Sequence, residues 1–446
     1  MFQRPHQLLR ALALGGCRAI FHVAEGVDSA YSPGIYEPEP NLLVVVGEDP
    51  RRLIEGTFVT WCAYPPYVRQ ARKWQADLVV FDHIDAFSDE FSSMASQMPE
   101  AMAEADLVFA VSERLWQQAR KRHSHAYLLP NGVDFDHFRQ AAAAGPVPED
   151  IRHLPRPVIG FYGTLSSWID WDWIREAADR RPDWSFVLIG PQWQPGSGEA
   201  WRAGNNVHLL GPRKYQTLAD YLRGFDVAML PFRRTEMTMA SDPIKLYEYS
   251  ASGKPVVATA IPQAARVPGI RLVDTAAGFL AGLEAALAEP GDADVETRIA
   301  FARRNTWELR AQRVLEVIAD VGAARGPIAA WVASAGRGSG STGSSGRVFL
   351  PFDDDDDESH SGTSGSSSYP FPPCGSGDSD CDDPDSHTSG SGNDWSDSEY
   401  DHSGSESYAS GSSDDDSGSG SDSSGSGSHG SGSGSDSSGS GGVRNG

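Results

Sequence analysis

Cysteine is scarce in this chain: four in 446 residues, at Cys17, Cys62, Cys374 and Cys381, with no Cys/His spacing that would hold zinc. Too few and too scattered for a disulfide framework, they point to a reducing compartment. No run approaches the roughly 18 apolar residues that span a bilayer, and the first residues lack the apolar core of a signal peptide. A stapled secreted scaffold, a zinc module and a membrane-spanning chain are thereby set aside, and a cytoplasmic protein is expected. Basic residues are absent almost entirely after Gly336, where only Arg337, Arg347 and Arg444 stand against 21 of the 61 acidic residues. The formal charge of -24 therefore divides into -18 for this tail and -6 for the body. The body reads as an ordinary, mildly acidic globule, and no nucleic-acid partner is expected.

What the tail does contain is Ser, Gly and Asp, which cannot bury enough apolar surface to offset chain entropy. Residues 334–446 are expected to form a disordered acidic tail, with two small apolar islands, Val348–Phe352 and Tyr369–Phe371, as the places where it could dock on the body.

The body alternates β-rich runs with amphipathic helical stretches, the pattern of parallel sheets covered by helices, so an α/β fold is predicted. Strands are read at Ala19–Val23, Leu42–Val46, Thr57–Cys62, Leu78–Phe81, Leu107–Val111 and Tyr127–Leu129, within a first domain of residues 1–150. An Ala/Pro-rich linker, Ala141–Pro155, precedes a second series at Val158–Tyr162, Phe186–Ile189, Val207–Leu210, Val227–Leu230 and Val256–Thr259, within residues 151–333. A last helix at about 306–322 is placed so that it could cross back to the first domain. Two Rossmann-like sheets facing a cleft are the economical reading. The chain opens on a helix, Arg4-Pro5-His6-Gln7 and onward, where such a domain usually opens on a central strand; that first strand is expected to be missing.

Ligands of open α/β sheets bind beyond the carboxyl ends of the strands. Gly163 and Thr164 follow the strand Val158–Tyr162 in a small-residue turn that lets a ligand approach the backbone; a turn with no ligand is the plain alternative. Ser241-Asp242-Pro243 can start a helix that Gly253 and Pro255 end. On it, Lys245 and Glu248 are three apart near the positive helix end, suited to a diphosphate and a ribose diol respectively, or to a surface ion pair. At the end of another strand, Asp82, His83 and Asp85 could orient an acceptor hydroxyl. Asp170-Trp171-Asp172 offers an Asp-x-Asp spacing but reads better as a helix cap, so no metal is expected. Trp168, Trp171 and Trp173 read as packing more readily than as a sugar platform.

The run Ser241–Val257 resembles the donor-binding signature of family 4 retaining glycosyltransferases of GT-B fold, in which a glutamate helix precedes a small-Gly-x-Pro-Val-Val strand. The resemblance extends to Asp106–Ser112, Leu129–Asp134, Gly211-Pro212 and Phe225–Pro231, and Arg4–Gln7 resembles the opening of relatives that act on cell-surface polysaccharides. It implies a metal-independent transferase that uses a nucleoside-diphosphate sugar as donor, needs no cofactor and acts on a glycan or lipid-linked acceptor. Peripheral contact with the inner membrane face stays open, as does the oligomeric state. Glu248 matches the second member of the family's E-x7-E pair, while Ala240 stands where the first belongs. Glu236 and Asp242 are the substitutes within reach. No Arg or Lys occurs in Thr164–Trp168, so Lys245 and Arg213 become the phosphate candidates, with Gly163, Thr164 and Ser241 as further donor contacts and Asp82, His83, Asp85 and Asp242 as catalytic candidates. A nucleotide-sugar epimerase or hydrolase on the same fold, or a degenerate binding protein, are the competing readings.

Overall fold

The computed structural model describes residues 3–23, 32–193, 204–288, 294–323, 326–335 and 347–350. The N-terminal sheet contains β1 (Arg18–Val23), β2 (Gly34–Glu39), β3 (Leu42–Val46), β4 (Phe58–Cys62), β5 (Leu78–His83), β6 (Leu107–Ala110) and β7 (Ala126–Leu128). The C-terminal sheet contains β8 (Val158–Tyr162), β9 (Ser185–Ile189), β10 (Val207–Gly211), β11 (Val227–Leu230), β12 (Val256–Thr259) and β13 (Arg271–Val273), ordered β10-β9-β8-β11-β12-β13 and parallel throughout. Strands β3 to β6, β8, β9, β11 and β12 are buried along their whole length, as expected where helices cover both faces. Antiparallel β2 lies at an edge; its GIYEPE sequence, with Pro and two Glu, suits an edge and conceals the strand from pattern reading.

One strand comes from far along the chain. Arg347–Leu350 forms β14, inserted parallel between β1 and β4, with Arg347 opposite both Arg18 and Phe58. The N-terminal order is thus β2-β3-β1-β14-β4-β5-β6-β7, and the position expected to be vacant is filled. The coil expected for 334–446 does not hold at these four residues, where Val348, Phe349 and Leu350 have strong strand preference. It also fails at its start, since the helix Gly326–Ala335 runs past residue 333. The rest of the tail, including Tyr369–Phe371, lies outside the described residues.

The helix Trp307–Gly322 packs on Arg4–Leu14: Trp307, Ala311, Val314, Val317 and Ile318 join Leu8, Leu9 and Leu12 in the N-terminal core. The second core takes in Val133, Phe138, Ala141 and Ile151, all buried. Within the segment expected as linker, Ala141 and Ile151 therefore pack into the C-terminal domain and Val147 and Leu154 lie against it.

Candidate active site

The carboxyl ends of the two sheets border one cleft with about 1060 Å³ of empty space, part of it open to solvent. Its C-terminal wall begins at the turn after β8. A side chain at Gly190 would place its Cβ 1.8 Å from the Gly163 carbonyl oxygen, so the two turns touch backbone to backbone; Gly163 and Thr164 line the cleft. Beside them the helix Ile244–Ser252 points its N-terminus into the cleft through Ser241, Pro243 and Lys245, with Gly253 at φ +76° ending it as foreseen. Its start differs from expectation: Asp242 does not cap. Asp242 Oδ2 accepts the Asn131 N–H at 2.7 Å, and both carboxylate oxygens accept from Tyr247 Oη at 3.0 Å. Burial raises its pKa, while these donors and the Arg4 charge oppose the rise. Asp242 is thus engaged in joining the domains; Asn131 receives Arg4 Nη1 at 3.1 Å and Arg310 Nε at 3.0 Å through its side-chain and backbone oxygens.

Glu248 lies beneath the cleft surface, 2% exposed. Desolvation raises its carboxyl pKa, and Lys245 and the Tyr162 phenol oppose it. Glu248 Oε2 and Tyr162 Oη are buried without a well-directed hydrogen bond, the state of groups that a ligand hydroxyl would satisfy. Tyr162 also lines a neighbouring pocket with Gly190, Pro191, Pro212, Arg213 and Lys214. Arg213 is therefore separated from Lys245: it pairs with Asp150 at 2.8 Å and donates to Tyr221 Oη at 2.7 Å.

On the N-terminal wall, two of three candidates turn away from the cleft. Asp82 is fully buried, and its oxygens accept from Arg4 at 2.8 Å each and from Trp61 Nε1 at 3.1 Å. His83 is also buried, stacked between Phe81 and Phe87 with centroids 5.7 and 5.9 Å away, and desolvation pushes its pKa down to about 4. Strand-end residues turn inward as often as outward, and here these two turn inward. Asp85 does line the cleft, and burial, aided by the Asp82 charge, pushes its carboxyl up to about 6. Arg4, Asn131, Tyr247 and Arg310 were not foreseen as site residues; the bonds that join Arg4, Asn131 and Arg310 to the site span 78 to 179 residues, which no local spacing signals, whereas Tyr247 lies five residues from Asp242.

Among the described residues no three His, Cys, Asp or Glu side chains gather as metal ligands. Asp170 Oδ1 accepts the Trp173 N–H as a helix cap, and Asp172 pairs with Arg175. Among the described residues no helix is long and apolar enough to cross a membrane.

Residues 156–290, the wall carrying Gly163 and Lys245, match the family described as Glycosyl transferases group 1. Over 280 residues, 57% of this chain and 70% of the relative, the sequence is 24% identical to a Bacillus subtilis (strain 168) protein assigned as the teichuronic acid biosynthesis glycosyltransferase TuaH. Sucrose-phosphate synthase from Thermosynechococcus elongatus superposes with a TM-score of 0.57 at 16% identity, over 72% of this chain and 93% of that one. Anabaena HepE in complex with UDP and glucose gives 0.51 at 16% identity, over 68% and 99%. The E. coli trehalose-6-phosphate protein bound with UDP-2-fluoro glucose gives 0.57 at 12%, over 72% and 96%. At such identities the structural likeness speaks for the fold, and the sequence matches speak for the chemistry. Two open sheets meeting at one cleft give the chain the fold of the GT-B glycosyltransferases, and over residues 156–290 its sequence matches a glycosyl transferases group 1 domain.

Proposed function

We propose that the cleft transfers a sugar from a nucleoside-diphosphate donor to a hydroxyl of a glycan or lipid-linked acceptor, with retention at the anomeric carbon, in the assembly of a cell-surface polysaccharide. The observation that carries this reading is the helix Ile244–Ser252, whose N-terminus brings Lys245 into the cleft beside Gly163 and Thr164. A helix N-terminus and an ammonium group favour a diphosphate, and they gain most as the departing diphosphate takes up charge. Glu248 and Tyr162, one turn deeper, are suited to accept and donate hydrogen bonds with ribose hydroxyls. The relatives crystallised with UDP make UDP-sugars the first donors to test. Retention and the polysaccharide context rest on the resemblance of Ser241–Val257 and on the teichuronic acid relative.

Across the cleft, Asp85 with its pKa near 6 is mostly ionised at neutral pH and is the group available to receive the acceptor's proton. Donor nucleotides are cytoplasmic metabolites, so the reaction belongs there, at the inner membrane face when the acceptor is lipid-linked. Incubation with UDP- and GDP-sugars, with and without glycan acceptors, and NMR assignment of the product anomer test the reading. Sugar release or isomerisation without acceptor-dependent product would refute transfer.

A further inference from the structure

A charged donor does not account for the aromatic side of the cleft. Of Trp168, Trp171 and Trp173, the structure separates one from the other two. Trp171 is buried with Nε1 donating to the Ser166 carbonyl at 3.1 Å, and Trp173 packs against Phe279 at 5.8 Å, whereas Trp168 faces the cleft together with Phe91 and Phe232. The reading of all three tryptophans as packing is therefore too broad. Behind this face stands Trp193, 5.4 Å from the Trp168 ring and 5.5 Å from the Phe91 ring, its backbone N–H donating to the Leu165 carbonyl at 2.9 Å.

The wall is built from both domains. Phe91 follows Asp89, whose Oδ2 accepts the Met237 N–H at 2.8 Å, and Glu90, which receives the Ser167 hydroxyl; these bonds hold the segment against the C-terminal half. Around the rings stand hydroxyls and two carboxylates, namely Thr164, Thr238, Ser241, Asp85 and Asp242, the last already bonded to Asn131 and Tyr247. The cations lining the cleft are Lys245, beside Gly163, and Arg4, which is paired with Asp82.

Aromatic faces ringed by neutral and acidic hydrogen-bonding groups suit a pyranose ring. Its C–H face lies on the rings and its hydroxyls meet the polar groups, whereas a diphosphate requires cations. We infer that Trp168 and Phe91 form a subsite for a pyranose ring of the acceptor. The inference deepens the proposed transfer reaction and rests on it for the word acceptor, though not for sugar binding itself. Position supports the assignment: Phe91 shares the N-terminal wall with Asp85, opposite the helix end proposed for the diphosphate.

The test measures binding without turnover. Maltotetraose, chitotetraose and tetragalacturonic acid are titrated by calorimetry into wild type, Trp168→Ala, Trp168→Phe and Phe91→Ala, with UDP titrated into each as a second ligand and thermal melts recorded. At least one glycan is expected to bind wild type, to weaken tenfold or more in Trp168→Ala and several-fold in Phe91→Ala, and to stay within about threefold in Trp168→Phe, with UDP affinity constant. Absence of binding by all three glycans, equal affinity in Trp168→Ala, or parallel loss of UDP and glycan binding overturns the subsite. Should wild type bind glycan through Trp168 yet fail to bind UDP or GDP, the subsite stands and the transferase reading of the cleft falls instead.

Discussion

The two sheets reach the same cleft by different means. The C-terminal sheet is made from one continuous stretch, β8 to β13, and its site elements, Gly163 and Thr164 after β8 and Lys245 on the helix before β12, follow directly from its strands. The N-terminal sheet is assembled from distant pieces: β14 lies between β1 and β4, and Arg4–Leu14 is covered by Trp307–Gly322. Its strand-end carboxylate Asp82 is correspondingly used to hold pieces together, through Arg4 and Trp61. The difference suggests a division in which the C-terminal half supplies binding chemistry from local sequence while the N-terminal half commits its polar groups to assembly, with Asp85 as the exception.

The largest effect expected from breaking this division comes from removing β14. A chain ending at Ala335 loses the strand that pairs with both β1 and β4, and the N-terminal half should melt well below the C-terminal half, as two transitions in calorimetry. A chain ending at Phe352 keeps the strand and should melt like the full protein. Identical melting of both truncations would show that β14 adds nothing to the sheet.

Next in size is Arg4→Ala. It leaves the buried Asp82 carboxylate without its bidentate partner, and breaking one side of a buried pair costs roughly 3–5 kcal/mol. Urea unfolding followed by tryptophan fluorescence measures it. A stable Arg4→Ala protein in which Asp82→Asn alone abolishes turnover would return Asp82 to the chemistry and erase the contrast between the halves.

That contrast also explains what could be read from sequence. The strands of the C-terminal half were legible because runs such as Val158–Tyr162 and Phe186–Ile189 are apolar, β-rich and bounded by Gly or Pro, and because the helix before β12 carries its own stop at Gly253. The three-residue β13 and the Pro-containing edge β2 carry too little pattern to be seen. β14 sits inside a Ser/Gly/Asp-rich context, so only its apolar composition gave notice of it. The fate of Asp82 and Asp242 was illegible for a different reason: whether a carboxylate at a strand or helix end meets substrate or a guanidinium depends on which distant residue arrives beside it. Arg4 and Asn131 arrive only through the tertiary fold. Trp168 was visible, but its separation from Trp171 and Trp173 depends on which way each ring turns.

A smaller effect, confined to the C-terminal half, is expected at Glu248. Replacement by Gln should weaken UDP binding by roughly 1–3 kcal/mol, since one strong acceptor for hydroxyls is lost. Stability should change in the opposite direction. Burial raises the folded pKa above its unfolded value, so the stability this group contributes is present below the unfolded pKa and is lost as pH rises through the folded one; Gln removes that loss. Calorimetric binding and melts at pH 7 read both. Unchanged UDP affinity with raised stability would make Glu248 a buried remnant with no part in donor recognition.

The smallest effect expected on stability tests the exception, Asp85, through pH. Its folded pKa of about 6 lies above the ordinary carboxylate value of 3.8, so the sign is that of a raised acid: its stabilising contribution is complete below about pH 4 and disappears between there and pH 6. Asp85→Asn should therefore flatten the dependence of Tm on pH across this window while leaving Tm at pH 4 nearly unchanged. The side chain is partly accessible at the cleft, which reduces the stability effect relative to a sealed group. Turnover supplies the second readout. If the ionised carboxylate receives the acceptor's proton, wild-type kcat rises with pH through about 6, and Asp85→Asn loses both that limb and roughly 10² to 10⁴ in rate. A flattened Tm profile with the kinetic limb intact would mean that Asp85, like Asp82, serves the assembly of its domain, and the proton would have to leave by another group in the cleft.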